Sequence, residues 1–367
     1  MAYHVIMTRI ALLAALVLLA AGGSPAEDKR VRVYNWTDYI DKQILAEFEA
    51  ETGIEVVYDV FDSNRTLEAR LLAGNTGYDV VVPTGAFLAR QIRAGLFRPL
   101  DKSRLSNLRH MDETIAARVR QWDPGNRHAV TYLWGTTGIG FNRAKVAARD
   151  PRAPAGSWRM LFDPAVVSKF ADCGVYLLDE PGEVIPAVLN LLGLDPASHD
   201  IDVIERAEPV LRAIRPHIRG FHNTAQLDGL ADGSICLAMG WSGDMLQARE
   251  RAGDAGKGPR ISYVIPDEGA QMWFDMMAIP ADASRPENAH RFIDYLMRPE
   301  VIAKASNHVL YANGNAAATA LLNRELLEDP GIHPPPAVRE RLYVTHPYPA
   351  EAQRFVTALW SRIKSGQ

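Results

Sequence analysis

An apolar run without a single charge, Ile10–Ala21, stands near the start of the chain, and shorter apolar segments set off by polar turns follow it. Val31–Tyr34 places apolar side chains on either side of Arg32 and ends at Asn35-Trp36, the pattern of a strand. Ile40, Ile44, Leu45 and Phe48 recur at helical spacing until Gly53. Ile54–Val60 reads as a second strand. Thr66–Ala73 puts Leu67, Leu71 and Leu72 on one helical face, with Gly74 as its stop. Asp79–Val82 closes on Pro83 and has the continuous apolar character of a strand covered on both faces. Phe87–Ala94 is helical again, and Gly95 ends it. This alternation of strand and helix predicts an α/β unit with a mostly parallel sheet.

The pattern then restarts. Gly138–Phe141 predicts a strand, Val184–Leu192 a helix stopped by Gly193, and Asp202–Ile214 a helix ended by Pro216. Ser234–Met239 reads as a buried strand, followed by Gly240-Trp241-Ser242-Gly243-Asp244 and a helix from Met245. Ile261–Ile265 and Met276–Ile279 predict strands; Asn288–Met297, Pro299–Ser306 and residues 350–363 predict helices. No repeat or long flexible linker interrupts the series. Two α/β lobes joined by more than one crossing strand fit it best.

Arg9, the apolar run and the small residues Gly22–Ala26 form a secretory signal peptide over residues 1–26, because the run is shorter than the roughly 20 residues a bilayer needs. The alternative is an uncleaved anchor. No cysteine follows the run to take a lipid. The chain carries 40 basic and 44 acidic residues, and no Lys/Arg cluster reads as a nucleic-acid surface. A mildly acidic surface suits a cation without deciding for one. Cys173 and Cys236 are the two cysteines, the number one disulfide needs in an exported protein; two buried free thiols are the alternative. Their spacing, and histidines without close pairs, exclude a recognisable metal site. No phosphate-binding loop, nucleophile elbow or cofactor motif is present.

Candidate chemistry gathers at the carboxyl ends of the predicted strands, where open α/β sheets bind ligands. Trp36, Thr37, Asp38 and Tyr39 follow the first strand, and Thr84 follows the third. Trp241 and Asp244 follow Ser234–Met239; Trp273 and Asp275 adjoin Met276; Tyr311 lies in a later connection. The recurring theme is an aromatic ring beside a carboxylate. Carboxylates accept charge-assisted hydrogen bonds from ammonium groups. Aromatic faces attract cations by about 0.5–2 kcal/mol each. Each pair also has a plainer reading: Asp38 as a helix cap, or Glu183 as a charge at a helix start.

The stretches "VYNWTDYI", "ETGIEVVYDVFDSNRTLEARLLAGNTGYDVVVPT", "TTGIGFN", "CLAMGWSGD", "WFDMMAIPADA" and "YANGNAAAT" make the chain from Val31 onward resemble the putrescine- and spermidine-binding periplasmic receptors of bacterial ABC importers. The resemblance implies a non-enzymatic, cofactor-free periplasmic monomer of the type II two-lobed fold, which closes on a polyamine and delivers it to permease subunits in the inner membrane. Residues 28–135 with 257–308 are expected to form one lobe, and 136–256 with 309–367 the other. Trp36, Thr37, Asp38, Tyr39, Thr84, Glu180, Glu183, Trp241, Asp244, Trp273, Asp275 and Tyr311 are the ligand-binding residues it implies, and Cys173–Cys236 matches a bridge in relatives. Trp273 stands where putrescine receptors commonly have Phe. Glu180 stands where relatives have either a small residue or an acid, so the choice among putrescine, spermidine, cadaverine and agmatine stays open. An exported hydrolase with a carboxylate pair and a signalling receptor are the rivals from other classes. A sugar site would need fewer acids, and a ferric site would need clustered tyrosines.

Overall fold

The computed structural model describes residues 29–254 and 261–366. The expected signal peptide lies outside the described residues. Strands β1 (Arg30–Trp36), β2 (Glu55–Phe61) and β3 (Val80–Val81) form a parallel sheet in the order β2-β1-β3. A second parallel set comprises β5 (Val175–Leu177), β6 (Gly220–Phe221) and β7 (Leu237–Trp241), with β5 in the middle. Long antiparallel strands join the two sets: β4 (Ala129–Asn142) and β9 (Ala270–Ala278).

β4 is the main bridge. Its residues as far as Thr136 pair with β9, and from Thr137 to Phe141 they pair with β7. β8 (Ile261–Val264) pairs with the far end of β4, so the chain returns between the lobes before β9 begins. β10 (Ala312–Asn313) pairs with Trp134 and Leu133, and β11 (Leu342–Tyr343) pairs with the first residues of β9. Only part of β4 is visible in the sequence pattern. All its residues are buried, so no polar alternation marks the segment before Gly138. The helix expected over 202–214 is broken into Ile201–Glu205 and Ala207–Ile214. Pro209 explains the break, since it lacks an amide hydrogen and its ring clashes with the carbonyl four residues earlier.

Two large apolar cores result. The first contains Val31, Phe48, Leu67, Tyr132, Phe274 and Phe292. The second contains Trp158, Phe170, Val184, Leu211 and Met239. The final helix, Ala350–Ser365, sends Val356, Leu359 and Trp360 into the second core. Tyr311, Ala312, Ala318, Leu322, Leu326 and Ile332 belong instead to the first core. β10 holds this returning chain against β4. Cys173 and Cys236 are joined, and their Cα atoms lie 5.6 Å apart. The bridge ties the segment before β5 to the start of β7 within the second core.

Candidate ligand-binding site

A cleft of about 550 Å³ opens between the lobes, at the carboxyl ends of β1, β3 and β7. Eleven of the twelve expected residues line it: Trp36, Thr37, Tyr39, Thr84, Glu180, Glu183, Trp241, Asp244, Trp273, Asp275 and Tyr311. The exception is Asp38. It has a left-handed backbone (φ 52°), its side chain is 59% exposed, and it forms an ion pair with Arg251 at 3.3 Å. Arg251 also holds Asp228 at 2.7 Å. The left-handed turn brings both neighbours, Thr37 and Tyr39, to the cleft wall and leaves Asp38 at the surface. Asp41, three residues on, caps the following helix by accepting from the Gln43 amide at 2.9 Å.

Asp275, Asp244 and Glu183 are held by neutral groups. Asp275, 4% exposed on β9, accepts from the Tyr39 hydroxyl at 2.8 Å and the Thr84 hydroxyl at 2.6 Å. Thr84 is set in turn by Asn64, whose Nδ2 donates to its Oγ1 at 2.9 Å while the Asn64 Oδ1 accepts from its amide at 3.0 Å. Asp244 accepts from the Tyr311 hydroxyl at 2.7 Å, and its own amide donates back to that oxygen at 3.1 Å. Glu183 accepts from the Thr137 hydroxyl at 2.6 Å. Thr137 sits where β4 leaves one lobe for the other, so this contact belongs to the hinge as well as the site.

Burial dominates the electrostatics. It pushes Asp244 up to about 6, Asp275 to about 7 and Glu183 to about 8; hydrogen bonds from Tyr311, from Thr84 and Tyr39, and from Thr137 and Trp241 respectively offset only part of this. Glu183 also feels the negative charges of Glu180 and Asp275. Glu183 and Asp244 stand in the first turns of the helices Pro181–Leu191 and Ser242–Asp254, where the helix dipole favours an anion. Acids in those turns present negative charge to the cleft from helix ends that would otherwise attract anions.

The rings are seated with equal care. Trp36 donates its indole N–H to the Val82 carbonyl at 2.9 Å and meets Trp241 from the opposite lobe edge-on, with centroids 5.9 Å apart. Tyr311 packs edge-on against both Tyr39 and Trp273, with centroids 5.3 Å away in each case. Glycines make room for them. A Cβ on Gly243 would come within 2.4 Å of the Tyr311 ring, and one on Gly135 within 2.7 Å of Trp273. Sequence reasoning did not single out Phe61, Arg65, Gln271 or Tyr348, which also line the cleft. Gln271 and Tyr348 come from β9 and from the loop before the last helix, segments whose meeting depends on the tertiary fold.

Residues 43–334 match the family described as bacterial extracellular solute-binding protein. The chain belongs to this family. It is a solute-binding protein rather than an enzyme, with the two-lobed periplasmic binding fold. It is 46% identical over 355 residues to the putrescine-binding periplasmic protein of Escherichia coli, covering 96% of each chain. It is also 46% identical to the putrescine-binding periplasmic protein of Pseudomonas aeruginosa over 350 residues, 95% of each chain. Among solved structures, the spermidine/putrescine ABC transporter substrate-binding protein of Streptococcus pneumoniae superposes with a TM-score of 0.75 at 27% identity, over 92% of this chain and 99% of that one. No helix among the described residues is long and apolar enough to cross a membrane.

Proposed function

We propose that this receptor captures a slender polyamine between its lobes and delivers it to an ABC permease. The reading rests above all on one observation: Asp275 is buried and Asp244 and Glu183 are half-buried, and the direct partners of all three are hydroxyl and indole groups rather than cations. Keeping such groups charged without a counter-ion is costly. Ammonium groups supply both the missing charge and the donors. The rings of Trp36, Tyr39, Trp241, Trp273 and Tyr311 form the wall for the methylenes between the amines. The names of the two relatives at 46% identity favour putrescine as the first ligand to try.

In this reading the chain is exported with its leader removed and works as a monomer in the periplasm. The closed form is what the permease recognises. Isothermal titration calorimetry with putrescine, cadaverine, agmatine and spermidine tests the binding step. Saturable binding of at least one amine is expected, with the amine recovered unaltered. Absence of binding to all four at millimolar concentration refutes the reading, and chemical conversion of the amine points to the hydrolase alternative.

A further inference from the structure

The mouth of the cleft carries a positive charge, although the interior is built for cations. Arg65, at the start of the helix Asn64–Ala73 in the first lobe, reaches across to the loop that leads into the helix Pro181–Leu191. Its Nη2 donates to the Asp179 carbonyl at 2.5 Å, and its Nη1 lies 3.7 Å from Glu180 Oε2. Asp179 Oδ1 is 3.8 Å from the same guanidinium. Glu180 lines the cleft and is 8% exposed. Its other partner is Asn223 Nδ2 at 3.2 Å, an atom that also reaches the Asp62 carbonyl of the first lobe at 3.3 Å. The second arginine on the cleft wall, Arg90, is paired with Glu68. The acids therefore fall into two groups. Glu183, Asp244 and Asp275 have neutral partners, whereas Glu180 faces a cation supplied by the protein.

We infer that Arg65 is a specificity-determining residue: from across the cleft it holds the charge of Glu180, and so fits the site to two ligand nitrogens rather than three. The inference rests on the polyamine reading above. A free carboxylate at position 180 would offer a third ammonium group a charged hydrogen bond. With Arg65 in place, a third ammonium meets a like charge and must displace it. Burial pushes Glu180 up to about 7, and Arg65 is the largest influence in the opposite direction. The Arg65 side chain is 46% exposed, so solvent moderates the effect and the consequence is a graded preference.

Calorimetry with putrescine and spermidine on the same protein preparations provides the test. Arg65→Gln is expected to move the ratio of the two affinities toward spermidine by about tenfold or more, the size of one charged hydrogen bond. Arg65→Lys keeps the charge and should stay near the native ratio. Adding Glu180→Gln to Arg65→Gln should cancel the gain. Arg65→Ala is a second charge-removing variant, read in the same way, and thermal unfolding confirms that each variant is folded. An unchanged ratio in Arg65→Gln overturns the inference, including the case where both affinities fall together, because Arg65 is then only a lobe-closing contact. A gain that survives Glu180→Gln overturns it too. If the native protein binds none of the four amines, the polyamine reading itself falls; if it binds putrescine and the ratio does not move, this inference alone falls.

Discussion

Replacing Asp275 with Asn separates a ligand-binding acid from a structural one. The side chain is 4% exposed and its direct partners are the hydroxyls of Tyr39 and Thr84. Burial raises it from an ordinary 3.8 to about 7. At 1.36 kcal/mol per pKa unit, that corresponds to roughly 4 kcal/mol against the charged form near neutral pH, an order-of-magnitude figure for a fully enclosed group. An amide at this position needs no counter-charge, and the two hydroxyls can reorient to serve it. Asp275→Asn should therefore raise the unfolding temperature of the ligand-free protein, with a gain of about 1–3 kcal/mol once the cost of burying the amide is counted. The same change removes a charged hydrogen bond to the ligand and should weaken amine binding by at least tenfold. Differential scanning calorimetry without ligand and titration calorimetry with putrescine measure the two quantities independently. A variant that loses stability and affinity together refutes the reasoning, because Asp275 then supports the fold. A stabilised variant with native affinity refutes the assignment of this acid to the ligand.

Other consequences can be checked alongside. Asp244→Asn leaves the Tyr311 hydroxyl an acceptor but removes the charge, and titration calorimetry should show at least a tenfold loss in affinity for putrescine. Asp244, Asp275 and Glu183 are raised to about 6, 7 and 8, so the ligand-free fold binds more protons than the unfolded chain; their contribution to stability is present below about pH 4 and is lost as pH rises through 8. Amine binding needs them ionised and runs the other way: affinity should climb between pH 5.5 and pH 8, with proton release visible as a buffer-dependent enthalpy, and a flat profile contradicts it. Replacing both Cys173 and Cys236 with Ala opens a loop spanning 63 residues and should cost about 4 kcal/mol in the chain-entropy account, read from urea unfolding, with putrescine affinity little changed because neither cysteine lines the cleft.

How far the site could be seen in advance followed how locally each piece is determined. Trp36, Thr84, Trp241 and Asp244 were legible because a strand end, a turn and a helix start occur within a few residues of sequence. Trp273 and Asp275 were found, but beside a strand rather than within one. β9 is buried along its whole length, and its beginning leaves no polar alternation to mark it. Asp38 lies off the cleft lining for a local reason, since its residue type suits an amine while its left-handed backbone turns it to Arg251. Arg65 stayed hidden because its meaning is entirely long-range. It lies far along the chain from Asp179 and Glu180 and meets them only through the tertiary fold. The disulfide was readable from compartment and count, whereas the return of residues 312–332 to the first core depends on the pairing of β10 with β4.

The contacts between the lobes also explain why closure should depend on ligand. Trp36 meets Trp241 across the cleft, Arg65 meets Asp179, and Asn223 meets the Asp62 carbonyl. These are exposed or edge contacts, and partly solvated ion pairs of this kind contribute on the order of 0–1 kcal/mol each. The same cleft holds acids that burial raises by two to four pKa units, at about 1.36 kcal/mol per unit. On the polyamine reading, the empty protein near neutral pH should favour separated lobes. An amine reverses the sign by supplying the counter-charge inside the cleft. In that reading, the acids make closure conditional on a cation.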